Sequence, residues 1–128
     1  MTGRQAAQTS ARRKAWRRGC WAEALCRIWL RAQGYRLIAT DYRTPVGEID
    51  LIAGRGQVLA MVEVKVRARL EDALSTVGDR QQHRIIKACG WFLSAHPQYA
   101  DKIIRFDLFA LAAWRLPVHI RDAWRALN

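Results

Sequence analysis

The stretch "GEIDLIAGRGQVLAMVEVKVR", Gly47 to Arg67, sets Glu48, Asp50, Glu63 and Lys65 among Ile, Leu, Val, Ala and Met. Its apolar runs on either side of "GRGQ" read as the two strands of a hairpin. Successive side chains of a strand point to opposite faces. In the second half, Ala60, Val62, Val64 and Val66 therefore form one face, and Leu59, Met61, Glu63 and Lys65 the other. In the first half, Ile49, Leu51 and Ala53 oppose Glu48, Asp50 and Ile52. The charges are sorted onto one face, and the apolar sets are left to share a face suited to helix packing.

Register decides whether the charges meet. If Gly56 and Gln57 are the central residues of a type II′ turn, with Gly supplying the positive φ, Arg55 faces Val58. Counting back sets Asp50 opposite Glu63 and Glu48 opposite Lys65. A bulge would shift that pairing. Directly opposed Cβ atoms lie about 4.5–5.5 Å apart, so two carboxylates placed there repel unless a proton, a cation or a basic side chain relieves them.

Mg²⁺ or Mn²⁺ is a fitting relief, because hard ions take oxygen ligands and keep several waters. Asp50 and Glu63 form a partial shell, and the Val64 carbonyl can add a third oxygen. Lys65, on the face of Glu63, is placed to stabilise an attacking hydroxide or the charge that develops on a phosphate. That is the layout of metal-assisted phosphodiester hydrolysis. The same residues also fit ordinary ion pairs on a solvated sheet face, since a D…E-x-K pattern is short.

Around the hairpin, the chain alternates helices and strands. From about Lys14 to Gln33, Ala22, Leu25, Cys26, Trp29 and Leu30 make a helical stripe, and Gly34 stops it. "YRLIATDYR" reads as a strand, broken from the hairpin by "TPVG", so the first three strands start a meander. A second helix spans about Asp79 to Ala95, with Ile85, Ile86, Cys89, Phe92 and Leu93 inward and Pro97 beyond its end. "IIRFDLFALAA" is a further strand, and a short last one begins at Val118. Strands that receive helices between them imply an α/β fold with a mixed sheet.

The 128 residues, 51% of them hydrophobic, suit one domain with a core that needs no staples. We read residues 1–13 as a flexible basic arm and 14–128 as the domain. A formal charge of +11 attracts polyanions, nucleic acid above all, although an arginine-rich genome gives the same balance. Cys20, Cys26 and Cys89 show neither disulfide nor zinc spacing, which fits a reduced, cytoplasmic setting. Glu23 and Arg27 interrupt the apolar residues after the arm, so neither a signal peptide nor a membrane anchor is expected.

No Ser/His/Asp set or phosphate-cradling glycine loop occurs. His83, His96 and His119 lack metal-ligand spacing and read as solvated. Arg105 and Asp107 share a strand face and read as a structural pair. Of the six tryptophans, Trp29 belongs to the core stripe, while Trp16 and Trp21 are the better candidates for stacking on bases or a partner subunit.

The elements "GCWAEALCRIWLRAQGYRLIATDYR", "GEIDLIA", "VEVKVR" and "RFD", in this order, resemble the YraN family of small, uncharacterised bacterial proteins suggested to be endonucleases. The likeness runs from about Gly19 to Trp124. The family looks like a relative of archaeal Holliday junction resolvases in the PD-(D/E)xK nuclease superfamily, which implies a restriction-endonuclease-like αβββαβ core.

Carried over by position, that resemblance puts the metal-binding acids at Asp50 and Glu63 and the catalytic lysine at Lys65. Glu23 matches a first-helix acid that joins the metal in resolvase-like proteins, and equally reads as a solvent-facing residue near a helix N-terminus. Glu48 is expected to hold Lys65 or a water. In "RQQHR", at the place of a Lys-Gln pair, Gln82 extends the inward stripe and is expected to reach the lysine or a phosphate; Gln81 stands where lysine is common. Arg12, Arg13, Lys14, Arg17 and Arg18 of the arm and first helix, with Arg67, Arg80, Arg84 and Lys87, are the expected nucleic-acid contacts. Resolvase-like relatives also imply a homodimer.

Three functions remain: a Mg²⁺- or Mn²⁺-dependent endonuclease for DNA, branched DNA included; a nucleic-acid-binding or repair-complex module on a nuclease-like fold; and a structural basic protein, which leaves the converging acids unexplained.

Overall fold

The structure, a computed structural model, describes residues 20–126 except Thr76. Residues 20–32 are helical (α1), with Ala22, Cys26 and Leu30 buried at helical spacing. Gly34, at φ +88°, ends the helix: its N–H bonds the Arg31 carbonyl and the Tyr35 N–H bonds that of Leu30, the paired closure that a left-handed glycine permits.

Five strands follow: β1 (Arg36–Thr44), β2 (Gly47–Arg55), β3 (Val58–Arg67), β4 (Ile103–Ala112) and β5 (Val118–Trp124). Between β3 and β4 the chain forms α2 (Leu70–Leu74), α3 (Asp79–Ala95) and a 3-10 turn at Pro97–Tyr99. The sheet runs in sequence order. Its neighbours are antiparallel except β3 and β4, which the helical crossover makes parallel. This is the expected mixed sheet flanked by helices, a restriction-endonuclease-like core. The short α2 and the 3-10 turn were not anticipated.

The hairpin has the expected register, Arg55 against Val58, with Gly56 at φ +58° and Gln57 outside the left-handed region, as a type II′ turn requires. Two cores lie on opposite sides of the sheet. Under α3 lie Ile52, Leu59, Met61, Ile85, Cys89 and Phe92; against α1 lie Leu51, Ala53, Ala60, Val62 and Phe109.

Strict alternation predicts Ile49 beside Leu51 and Ala53, but Ile49 packs in the α3 core with Ile52. The neighbouring strand, β1, is irregular at the same level. Asp41 takes φ +53° between the pairs Thr40–Leu51 and Tyr42–Ile49, level with Asp50, and a left-handed residue there breaks the strict alternation of the pleat. Tyr42 consequently meets Phe92 of α3 edge to face, with ring centroids 5.3 Å apart.

Among the described residues, no helix is long and apolar enough to cross a membrane.

Candidate functional site

The β2–β3 ladder is paired from Arg55–Val58 to Leu51–Val62 and stops there. Beyond it, the Val64 N–H donates to Asp50 Oδ2 at 2.8 Å. A carboxylate takes the place of a backbone carbonyl, so the strands part and an opening forms beside Asp50. In an extended residue N–H and C=O point to the same edge of the strand, so the Val64 carbonyl is turned to the β2 edge as well.

Glu63 borders the same opening and is only 7% exposed. Its Oε1 accepts a hydrogen bond from Gln81 Nε2 at 2.8 Å and lies 3.2 Å from Lys65 Nζ, itself 14% exposed. These residues are not ion pairs on a solvated sheet face, because α3 covers that face. Close approach of the helix requires Gly47: a Cβ there would lie 2.4 Å from the Arg84 carbonyl oxygen.

Electrostatics follow from the geometry. Burial, and then the charge of Asp50, push the Glu63 carboxyl up to about 7 against the opposing pull of Lys65. Burial also raises Asp50, although the Val64 N–H works the other way. Glu23 on α1 is raised by burial, then by Asp50 and Asp41. Asp50 is thus felt from both sides of the sheet.

A cleft of about 350 Å³ opens here, lined by Thr44, Pro45, Gly47, Glu48, Asp50, Glu63, Gln81, Arg84 and Ile85. The carboxylates of Asp50 and Glu63 in its lining are oxygen donors that suit a hard cation; Val64, next to Glu63 in sequence, is not among the lining residues. Glu23 does not complete a set with them, since among the described residues no three His, Cys, Asp or Glu side chains gather for a metal ion.

Several expectations need correction. Gln82 does not reach Lys65; its Nε2 donates to the Val77 carbonyl at 2.9 Å, at the start of α3. Gln81 is the residue that reaches the site. Counting back from the buried Ile85, Ala88 and Phe92 by four, seven and eleven leads to Gln81, a signal the sequence carried. Glu48 does not hold Lys65 among the described residues; it is exposed on the cleft wall, and Lys65 pairs with Glu63 instead. The ladder ends before Glu48 can face the lysine.

His119 is not solvated: its side chain is 4% exposed and its Nε2 lies 2.8 Å from Asp107 Oδ2. His96 is half-buried and stacks on Phe92. His83 is exposed, as expected. Arg105 and Asp107 do form the expected pair, with two hydrogen bonds of 2.8 and 2.7 Å.

Arg67, Arg80, Arg84 and Lys87 are all exposed, and Arg84 lines the cleft. Trp29 packs against Phe109 in the α1 core, and Trp21 is exposed. Arg12, Arg13, Lys14, Trp16, Arg17 and Arg18 lie outside the described residues, as does the boundary at residue 13.

A mixed sheet with an acid-lined opening at one end defines the class of fold; comparison of sequences supplies the family. The chain belongs to the uncharacterised protein family UPF0102, whose sequence profile matches residues 22–111, and this is the family its motifs resemble. It is 50% identical to a UPF0102 protein of Rhodopseudomonas palustris over 112 residues, 88% of this chain and 83% of that one. A UPF0102 protein of Caulobacter vibrioides is 45% identical over 121 residues, 94% of each chain. Another, from Bradyrhizobium diazoefficiens, is 47% identical over 112 residues, 88% of this chain and 84% of that one.

Proposed function

We propose that the protein is a Mg²⁺- or Mn²⁺-dependent endonuclease that hydrolyses phosphodiester bonds in DNA, with branched DNA as its substrate. The observation that carries this reading is the Asp50–Val64 hydrogen bond at the end of the β2–β3 ladder, beside which the carboxylates of Asp50 and Glu63 line one cleft. Asp50, Glu63 and the Val64 carbonyl would hold the cation. When bound, it supplies Lewis-acid polarisation of the phosphodiester.

The remaining work falls to the protein's own side chains. Gln81 fixes the orientation of Glu63. Lys65, beside Glu63, stabilises negative charge as it develops on the phosphate. Arg84 on the cleft wall binds a neighbouring backbone phosphate, with Arg67, Arg80 and Lys87 extending the basic surface. The net charge of +11 favours encounter with the polyanion at low salt.

The test is cleavage of linear, flapped and four-way-junction DNA in Mg²⁺, Mn²⁺ or EDTA by the protein and by Asp50→Asn, Glu63→Gln and Lys65→Ala. Metal-dependent cleavage lost in all three variants is the expected result. Cleavage that survives all three points to a contaminant. Tight, salt-sensitive binding without cleavage by the unaltered protein would instead make it a binding module.

A further inference from the structure

The hairpin between β4 and β5 ends in an exposed tryptophan that neither packing nor turn geometry explains. Trp114 is fully exposed, at 102% of its reference surface, and Leu116 is 84% exposed. The Arg115 N–H bonds the Ala112 carbonyl, closing a turn in which Trp114 is the third residue, at φ +62°. A turn with a left-handed residue at that place favours Gly or Asn. A bulky side chain there is strained, and here it gains no burial in return.

The place of this tip in the fold is equally telling. β3 and β4 are parallel, with Glu63 beside Leu108, Lys65 beside Ala110 and Arg67 beside Ala112. The tip therefore leaves the sheet at the end that carries the acids. Four strand steps, about 13 Å, separate the level of Glu63 from that of Ala112. The turn between β1 and β2, whose Thr44 and Pro45 line the cleft, lies at the same end. Arg67, level with Ala112, and Arg115 in the turn itself are exposed, while the exposed Arg69 pairs with Glu71 at 3.6 Å, so the tip's apolar side chains stand beside two arginines that pair with no acid among the described residues.

We propose that Trp114, backed by Leu116, is a stacking wedge that engages an unpaired base at the branch of a DNA substrate while the arginines hold the flanking phosphates. Aromatic faces stack on any base, and apolar wedges enter where stacking is already interrupted. A lipid surface or a second subunit would also accept an apolar tip, but the surrounding arginines and the level of the cleft favour nucleic acid. The proposal rests on the nuclease reading for its ligand and adds how a branch is told from a plain duplex.

The experiment measures binding in EDTA, so that cleavage plays no part, with flapped and fully paired DNA of equal length. Trp114→Ala is expected to weaken binding of the flapped DNA about tenfold and to leave duplex binding within about twofold; Trp114→Phe is expected to retain most of the affinity. Trp114→Gly, which removes the left-handed strain, is expected to raise the melting temperature while losing the same affinity, a split that a structural role would not give. Equal binding of both DNAs by the protein and Trp114→Ala would overturn the proposal, as would an equal loss on both. If the protein cleaves in an Asp50-dependent way yet Trp114→Ala binds as before, the wedge fails alone. If nothing is cleaved and branch binding still depends on Trp114, the nuclease reading fails and the wedge stands.

Discussion

Asp50 accepts the backbone N–H of Val64 at 2.8 Å, so an acid on one strand replaces the neighbouring strand's carbonyl at the point where the ladder ends. The carboxylate is therefore structural, and its proposed chemical role separates from that one by substitution. Asp50→Asn keeps an oxygen acceptor for Val64 and loses the charge. Asp50→Ala leaves a half-buried donor unpaired, at about 1–3 kcal/mol. Urea denaturation in EDTA is expected to show a loss of that size for Asp50→Ala and little for Asp50→Asn. Thermal stabilisation by Mn²⁺, which follows from binding to the folded state, is expected to vanish in both.

Adjacent glutamines on α3 are expected to behave differently. Gln81→Ala removes the side chain that fixes Glu63 and should lower the rate of Mg²⁺-dependent cleavage about 10–100-fold with little change in stability. Gln82→Ala removes a hydrogen bond at the helix start and should cost about 1 kcal/mol of stability while leaving cleavage near that of the protein. The reverse pattern, measured by initial rates and urea midpoints, would mean that the two side chains had been assigned the wrong way round.

Gly47→Ala is expected to destabilise the fold and to slow cleavage together. Its Cβ would lie 2.4 Å from the Arg84 carbonyl oxygen, so α3 must move from β2. Overpacking of this kind costs about 1–3 kcal/mol, visible as a lower melting temperature. Because Gln81 rides on the same helix, a variant that is destabilised but cleaves at the full rate would contradict the role given to that side chain.

Asp107 predicts a pH dependence. Burial alone would raise its carboxyl, but hydrogen bonds from His119, Arg105 and the Asp122 N–H outweigh it and hold the group below the ordinary 3.8. An aspartate lowered in the folded state adds stability that is fully present above the unfolded value and is lost as pH falls through the folded one. The native state then binds fewer protons than the unfolded chain between those two values, so stability rises with pH across that window. Asp107→Asn, which leaves the Arg105 charge without its partner, is expected to cost about 3–5 kcal/mol at neutral pH. Urea titrations should find that gap closing as acid protonates Asp107; a gap independent of pH would mean that the carboxylate's charge contributes nothing.

Much of this arrangement was legible in the amino-acid sequence, for local reasons. Gly56 determines the turn, the turn determines the register, and the register brings Asp50 and Glu63 to one level. The bounds of α3 follow from the stripe between Asp79 and Ala95. What escaped prediction depends on departures from ideal periods. Ile49 turns toward α3 where the neighbouring Asp41 takes φ +53°, and Asp is no clear marker of a left-handed strand residue. Gln81 is an exception: its spacing of four, seven and eleven back from Ile85, Ala88 and Phe92 marked it in the sequence, and the nearness of Gln82 to the same stripe hid that signal. His119 is buried by Asp107, a contact between strands that spacing along the chain does not report.

The parallel placement of β4 beside β3 has a consequence for the order of assembly. The β2–β3 hairpin closes over two residues, whereas residues 68–102 must be laid down before β4 pairs with β3. Hairpins form in microseconds, and distant pairings wait on the entropy of closing the loop. Asp50 and Glu63 can therefore meet while Gln81 is still untethered, and their mutual repulsion is then a barrier on the folding path. Protons that relieve it would act on the folding rate, and so would the divalent cation of the proposed site, which on that reading would serve as a chaperone for the hairpin.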